Sequence, residues 1–116
     1  MTGNPSELEI KLAALKQNYI AQLDERIETL ETALQDILAG SDFASAKEGL
    51  EQLAFHAHKI SGTAGTFGFD VLGQKGADIE IMCDQFVKTE IIPSQAEKEE
   101  LGELVAACRS MADAAE

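Results

Sequence analysis

His58 is the residue whose surroundings best suit nucleophilic chemistry. Small residues share its helical stripe at steps of three and four: Ala54, Ser61, Gly62 and Gly65. A glycine inside a helix costs about 1 kcal/mol relative to alanine, so two within one turn are unusual in a purely structural helix. Their lack of bulk would let another molecule approach the imidazole closely. Tight packing between helices is the alternative explanation.

The charge pattern around His58 supports a docking role. From Gln52 to Phe69, 18 residues pass without a carboxylate, and Lys59 is the one Lys, Arg, Asp or Glu among them. We therefore expect a low-charge surface around the histidine, as a binding patch would have. The alternative is that most of this helix is simply buried in the core.

Glu80 is the candidate partner of His58. It shares a helical stripe with Gly73 and Gly76, which would let its helix come close to that of the histidine. Its carboxylate could then accept a hydrogen bond from Nδ1–H of His58, which fixes the tautomer and leaves the Nε2 lone pair facing outward. The alternative is an ordinary solvated carboxylate.

Neither histidine lies in a pattern that predicts a metal site. His56 and His58 are two residues apart, about 200° around a helix, so they cannot share a metal ion or a reaction. A helical zinc pair needs a spacing of three or four, and a di-iron bundle needs paired Glu-x-x-His motifs, which are absent. His56 is predicted to be a surface or boundary residue.

Apolar residues recur at helical spacing almost throughout, and the first 40 residues predict two segments. A capping box, Ser6 with Glu9, precedes a stripe from Leu8 through Leu12 and Leu15 to Leu23. A second stripe runs from Leu23 to Ile37. Two successive steps of four at Leu23 predict a kink or break, with Asp24 as a new N-cap, and Gly40 is predicted as a C′ glycine.

Three further helices are predicted downstream: from Ser41 or Asp42 to Gly68, from Phe69 or Asp70 to Lys88, and after Pro93, where Ser94 and Glu97 form a capping box. The last has the stripe Leu101, Leu104, Cys108, Met111 and Ala115. Short loops favour antiparallel neighbours. The predicted fold is all-α, an up-and-down four-helix bundle with an additional N-terminal helix, in a single domain over residues 1–116.

The amino-acid composition excludes several classes of binding partner. The net charge of −12, from 21 acids and 9 bases, argues against nucleic acid or an anionic membrane. No apolar run approaches the roughly 18 residues of a membrane span, and the first ten residues do not resemble a signal peptide. Cys83 and Cys108 fall on apolar stripes and are predicted to be buried free thiols in a reducing cytoplasm. Nothing indicates an obligate oligomer, and a monomer is expected.

The segment HKISGTAGTFG, from His58 to Gly68, resembles the signature of histidine-containing phosphotransfer (Hpt) domains. Glu80, 22 residues after the histidine, matches the acidic or amide residue expected there. The resemblance implies a four-helix bundle with an extra N-terminal helix that takes a phosphoryl group from a receiver-domain aspartate and passes it on. His58 would be the phosphorylated residue, Glu80 would bond its Nδ1, and Gly62 would open the docking face.

The sequence departs from this pattern in one respect. Many members of the family have a lysine three residues after the histidine, where it can neutralise phosphoryl oxygens. Here that position is Ser61, and Lys59 follows the histidine directly. Lys59, Ser61, Gly62, Gly65 and Ala54 are the candidate supporting residues, and phospho-His58 is expected to be less stabilised by charge than in members with the lysine.

The resemblance implies a phosphocarrier. The sequence has no P-loop or other nucleotide-binding module, so we do not expect an enzyme with its own ATP site. No cofactor of its own is expected, and Mg²⁺ would belong to the partner's acidic pocket. The expected partners are receiver domains of response regulators and of a hybrid histidine kinase. The alternative function is a helical adaptor that binds receivers without taking phosphate.

Overall fold

The computed structural model describes residues 6–115, which form four α-helices and one short 3-10 helix. The helices are α1 (Glu7–Ala39), α2 (Phe43–Thr63), α3 (Asp70–Thr89) and α4 (Gln95–Ala115), and the 3-10 turn spans Ala64–Phe67. Consecutive helices pack on each other, and α4 closes the bundle against α1. The predicted all-α four-helix bundle is confirmed in these residues.

Side-chain caps define where the helices begin. Ser6 Oγ accepts a hydrogen bond from the Glu9 amide at the start of α1. Asp42 and Ser45 form a reciprocal capping box at the start of α2. Ser94 and Glu97 form the predicted box before α4, at 3.2 and 2.9 Å. These bonds satisfy backbone amides that have no partner within the helix. Residues that cap helices in this way therefore predict from the sequence where each helix begins.

The predicted additional N-terminal helix is wrong, because α1 is one continuous helix of 33 residues. It contains neither proline nor glycine, and the repeated step of four at Leu23 only rotates the apolar stripe without breaking the helix. Asp24 is not an N-cap. Its carboxylate instead lies 2.6 Å from Nη1 of Arg109.

About the first third of α1, residues 7–18, extends beyond the bundle. Its Leu8, Leu12 and Leu15 belong to the apolar stripe predicted for the first segment, but they are exposed. Tyr19 is the first buried residue of the helix. Its ring stacks on that of Phe67 at a centroid distance of 4.8 Å and marks the level at which the bundle ends.

Two glycines end helices in different ways. Gly40 follows the last residue of α1, as predicted, but its φ of −72° is not the left-handed conformation typical of a C′ glycine. A Cβ there would lie 3.0 Å from Ser45 Oγ and 3.1 Å from Ala46 Cβ, so close approach of the next helix explains the glycine. Gly68 has φ 85° and reverses the chain after the 3-10 turn, which begins where α2 ends at Thr63. The helical segment as a whole therefore ends at Gly68, as predicted, but its α-helical part ends earlier, at Thr63.

The core draws on all four helices, and its largest fully buried members are Leu23, Ile27, Leu30, Ile37, Leu50, Leu53, Ile60, Leu72, Ile79 and Leu101. Cys83 and Cys108 are buried and free, as predicted. Burial raises the pKa of Cys83 to about 12 and that of Cys108 to about 11, so both thiols stay protonated at neutral pH. In α4 the inward stripe is completed by Val105 and Ala112, while the predicted Leu104, Met111 and Ala115 are half-buried.

Arg109 fixes α4 to α1 from the surface. Its guanidinium contacts Asp24, Glu31 at 2.9 Å and Asp113 at 3.4 Å. A planar guanidinium can bind several carboxylates at once, which explains how one side chain joins two turns of α1 to α4. On the same seam, Lys98 Nζ donates to the Gly40 carbonyl at 3.2 Å, where α1 ends.

A close helix contact lies between α2 and α3, at Gly76. A Cβ on Gly76 would lie 2.9 Å from the carbonyl oxygen of Ala57 and 3.2 Å from Cγ2 of Ile60. Gly73 is looser, because its Cβ would make an ordinary contact at 3.5 Å with Ala64. Gly76 therefore lets the two backbones meet, as the sequence predicted.

We expect Gly76→Ala to destabilise the fold by about 1 to 2 kcal/mol, because the added methyl group must push α2 and α3 apart. Urea unfolding followed by circular dichroism measures this. Gly62→Ala is the matched control: its Cβ would meet nothing within 4 Å. It should leave stability unchanged or raise it by up to about 1 kcal/mol through helix propensity. Equal midpoints for the two variants would contradict this account.

Candidate functional site

His58 lies in the C-terminal half of α2, on the side that faces α3. Its Nδ1 lies 2.8 Å from Oε2 of Glu80, and its side chain is 68% exposed against 26% for the glutamate. The contact predicted from the sequence is therefore present. Glu80 lies one helical turn after Gly76, so the close approach of the two helices at the glycine brings the carboxylate within reach of the imidazole.

The geometry assigns different tasks to the two ring nitrogens of His58. A carboxylate accepts hydrogen bonds, so this contact favours the ring tautomer that carries its hydrogen on Nδ1. In the neutral ring, Nε2 then holds the free lone pair. Since most of the side chain is exposed, this lone pair is available to a reactant that arrives from outside.

Small residues leave open space beside the imidazole. Gly62 is exposed, and a Cβ built on it would meet nothing within 4 Å. Gly65 lies in the 3-10 turn, where a Cβ would approach Asp70 Oδ1 at 3.4 Å. Ala54 is buried one turn before the histidine. The fold itself therefore does not require glycine at position 62, which favours a role in approach by another molecule over close packing inside the chain.

The two polar candidates beside His58 are already engaged. Ser61 Oγ donates to the carbonyl oxygen of His58 at 2.9 Å, so its hydroxyl is turned onto its own helix. Lys59 Nζ lies 4.7 Å from the centre of the Phe55 ring, in a cation–π contact. The Lys59 ammonium thus points back along α2 to Phe55, one helical turn earlier, and lies near the margin of the site.

A shallow groove runs between α2 and α3 beside the imidazole, with a volume of about 370 Å³. His58, Glu80 and Ala54 line it together with four residues that the sequence analysis did not single out: Glu51, Phe55, Asp84 and Val87. Their signal was their spacing, since they lie three or seven residues before the histidine on α2 and four or seven after the glutamate on α3.

This groove corrects the expectation of a low-charge surface. The run without carboxylates describes α2 alone, whereas α3 adds Glu80 and Asp84, and Glu51 directly precedes the run. Three carboxylates therefore line the surface next to His58. The exposed ring of Phe55 provides an apolar contact within the same groove.

His56 belongs to a different surface. It is half-buried and lines a depression with Gln22, Glu25, Arg26 and Thr29 of α1. Burial, followed by the charges of Arg26 and Lys59, lowers the pKa of His56, so it is predominantly neutral at pH 7. The structure thus separates the two histidines, as their spacing predicted.

Residues 6–115 contain neither a candidate metal site nor a candidate membrane span. Within them, no group of three or more His, Cys, Asp or Glu side chains is arranged to hold a metal ion. No helix among them is long and apolar enough to cross a membrane.

Comparison with known proteins gives one result. The family model described as "Hpt domain" matches residues 14–116, which includes α2, α3 and α4 and most of α1. Neither the curated proteins nor the solved structures gave a match. A match over most of the chain, with the exposed histidine and its carboxylate inside it, shows that the chain belongs to the Hpt domain family, whose members are phosphocarriers of phosphorelay signalling and lack the ATP site of a kinase.

Proposed function

We propose that this chain takes a phosphoryl group on Nε2 of His58 from the aspartyl phosphate of a receiver domain and passes it to a second receiver. The observation that supports this most strongly is the contact between Nδ1 and Glu80, which leaves the opposite nitrogen of an exposed ring free to attack. Membership in the Hpt domain family supports the same chemistry.

The transfer balances without a further reactant. The Nε2 lone pair attacks phosphorus in line, an N–P bond forms, and the bond from phosphorus to the aspartate oxygen breaks. The aspartate leaves as a carboxylate. The ring becomes positively charged while Nδ1 keeps its hydrogen, and Glu80 stabilises that charge through the 2.8 Å contact. The reverse steps deliver the group to the next receiver.

The neighbouring residues have supporting roles in this proposal. Gly62 and Gly65 keep the approach to the ring open, and Ala54 limits bulk on the preceding turn. Lys59 is the nearest cation in the sequence and would leave the Phe55 ring to reach the phosphoryl oxygens. Ser61 could offer them a neutral hydrogen bond only by giving up its bond to the His58 carbonyl.

The partners follow from the same proposal. Phosphorylated receivers supply the group, and they belong to response regulators and to a hybrid histidine kinase. The Mg²⁺ needed for transfer would be held by the receiver's acidic pocket, so the chain would need no cofactor of its own. We propose a cytoplasmic location, where both kinds of partner and reduced cysteines are found.

An adaptor that binds receivers without accepting phosphate is the second candidate. Two observations favour it: Ser61 stands where a lysine would neutralise the phosphoryl group, and three carboxylates line the groove next to His58. Both features raise the free energy of a phosphorylated histidine, but neither prevents docking.

Replacing the proposed acceptor tests the two candidates. Incubation with a panel of radiolabelled phospho-receivers should label the native chain, the label should be acid-labile, and His58→Gln should remain unlabelled. His56→Gln is the matched control and should be labelled like the native chain, because His56 faces α1. Receivers that bind the native chain but never label it would instead establish the adaptor.

Removing the orienting carboxylate should slow transfer without abolishing it. A hydrogen bond to a charged group contributes about 1.5 kcal/mol or more, so Glu80→Ala should lower the transfer rate roughly tenfold. Nitrogen NMR of the His58 ring should show a smaller Nδ1–H population in the variant. Asp78→Asn removes an exposed carboxylate from another face of α3 and should change neither quantity. An unaltered tautomer in Glu80→Ala would refute the positioning role.

Restoring a cation beside the histidine should prolong the life of the phosphorylated form. Ser61→Lys places an ammonium on the same face, one turn after His58, and we expect hydrolysis of phospho-His58 to slow several-fold at low salt. The effect should shrink as salt increases. Ser110→Lys, on the exposed surface of α4, makes the same change in net charge and should leave the half-life unchanged. A similar gain in both variants would show that overall charge matters instead of position.

A further inference from the structure

The part of α1 that extends beyond the bundle has an apolar face without a partner in its own chain. Residues 7–18, which we call the N-terminal arm, are all exposed. Of the nine large exposed hydrophobic residues among those described, four belong to this arm: Leu8, Ile10, Leu12 and Leu15. Such a concentration within one short helical segment marks an interaction surface.

The three leucines lie on one face of the arm, in line with Tyr19. Their steps of four, three and four are the spacing of the core positions of a coiled coil. Each leucine is more than half exposed, whereas Tyr19 is buried against the bundle. Ile10 lies about 200° from Leu8 and therefore on the opposite face. The apolar seam thus begins at the first turn of the helix and reaches the bundle.

We propose that the N-terminal arm pairs with the arm of a second copy of this chain as a short antiparallel coiled coil. Leu12 would pack against Leu15 of the second copy, and Leu8 would lie at the level where the second copy's bundle begins. The paired segments are then those that lie outside the bundle, over about 18 Å of helix. This inference goes beyond the proposed phosphotransfer and does not depend on it.

Charge on the flanks of the seam favours a second copy in this direction. Glu9 and Lys16 lie seven residues apart on one flank, and Lys11 lies on the other. In an antiparallel pair the equivalent flanks meet, so Glu9 of each copy lies near Lys16 of the other, which gives two opposite-charge contacts. A parallel pair would instead bring Lys11 near Lys16 of the second copy and make two repulsive contacts.

The antiparallel pair also leaves room for both bundles. Antiparallel arms direct the two bundles away from each other at opposite ends of the pair. The site groove lies between α2 and α3, and none of the residues that line it belongs to the arm, so both copies of His58 would remain accessible. An interface this short falls below the roughly 1,200 Å² of a standard stable complex, so the dimer should be weak and depend on concentration.

Sedimentation equilibrium over a wide range of protein concentration tests the dimer. The native chain should show reversible association, and Leu12→Gln should shift the equilibrium at least tenfold towards the monomer. Ile10→Gln is the matched control, because it removes a comparably exposed apolar side chain from the opposite face of the arm. It should associate like the native chain. Circular dichroism of each variant shows whether the helices remain intact.

Charge exchange tests the direction of pairing. Glu9→Lys and Lys16→Glu should each weaken association, and the double variant should restore it because the contacts are exchanged. Lys16 Nζ also lies 5.3 Å from the centre of the Phe69 ring in its own chain, so the unfolding midpoint of each variant is compared as well. Restored dimers with unchanged midpoints support the antiparallel pair.

Three results would overturn the proposal. The first is a native chain that stays monomeric at every concentration. If Leu12→Gln then also weakens binding to a receiver, the arm is a receiver contact and not a dimer contact. The second is an equal loss of association in Leu12→Gln and Ile10→Gln. The third is a double charge variant that associates no better than the single variants.

Discussion

The absence of a side chain at Gly76 is the constraint on which the site depends. It lets the backbones of α2 and α3 meet where a Cβ would lie 2.9 Å from the Ala57 carbonyl oxygen. Because Glu80 follows one turn later, its carboxylate reaches Nδ1 of His58 across the same seam. A wider separation of the helices would leave an ordinary exposed histidine beside an ordinary carboxylate. Local helix packing thus determines which nitrogen of the ring faces outward.

The contact between His58 and Glu80 is formed at a largely exposed position, where water competes with it and lowers its strength. Docking of another protein over the groove would remove that water. The same 2.8 Å contact would then act in a medium of lower dielectric and stabilise a positive ring more strongly. An exposed site of this kind is therefore incomplete by itself, and its electrostatics depend on the surface that covers it.

Much of this architecture could be predicted from the sequence because local chemistry encodes it. Caps at Asp42 and Ser94 and the end of the helical segment at Gly68 follow from residue types at helical spacing, whereas the pairing of His58 with Glu80 was supported by the resemblance to Hpt domains. The errors concern relations between elements. Leu8 and Leu15 have the periodicity of a core helix, but periodicity does not reveal whether another helix extends far enough to cover them. The charge of the groove was missed for a similar reason, since Asp84 reaches it from a different helix.

The three carboxylates that line the groove have a thermodynamic consequence for a phosphorylated His58. A phosphoryl group placed there adds negative charge to a surface that is already negative, while Lys59 is drawn towards Phe55. Repulsion raises the free energy of the phosphorylated protein relative to the free one, and this increases the group-transfer potential of the N–P bond. In a relay, such a histidine would hold the phosphoryl group only briefly and would favour its transfer to the next receiver. It would be poorly suited to keep the group for a long time.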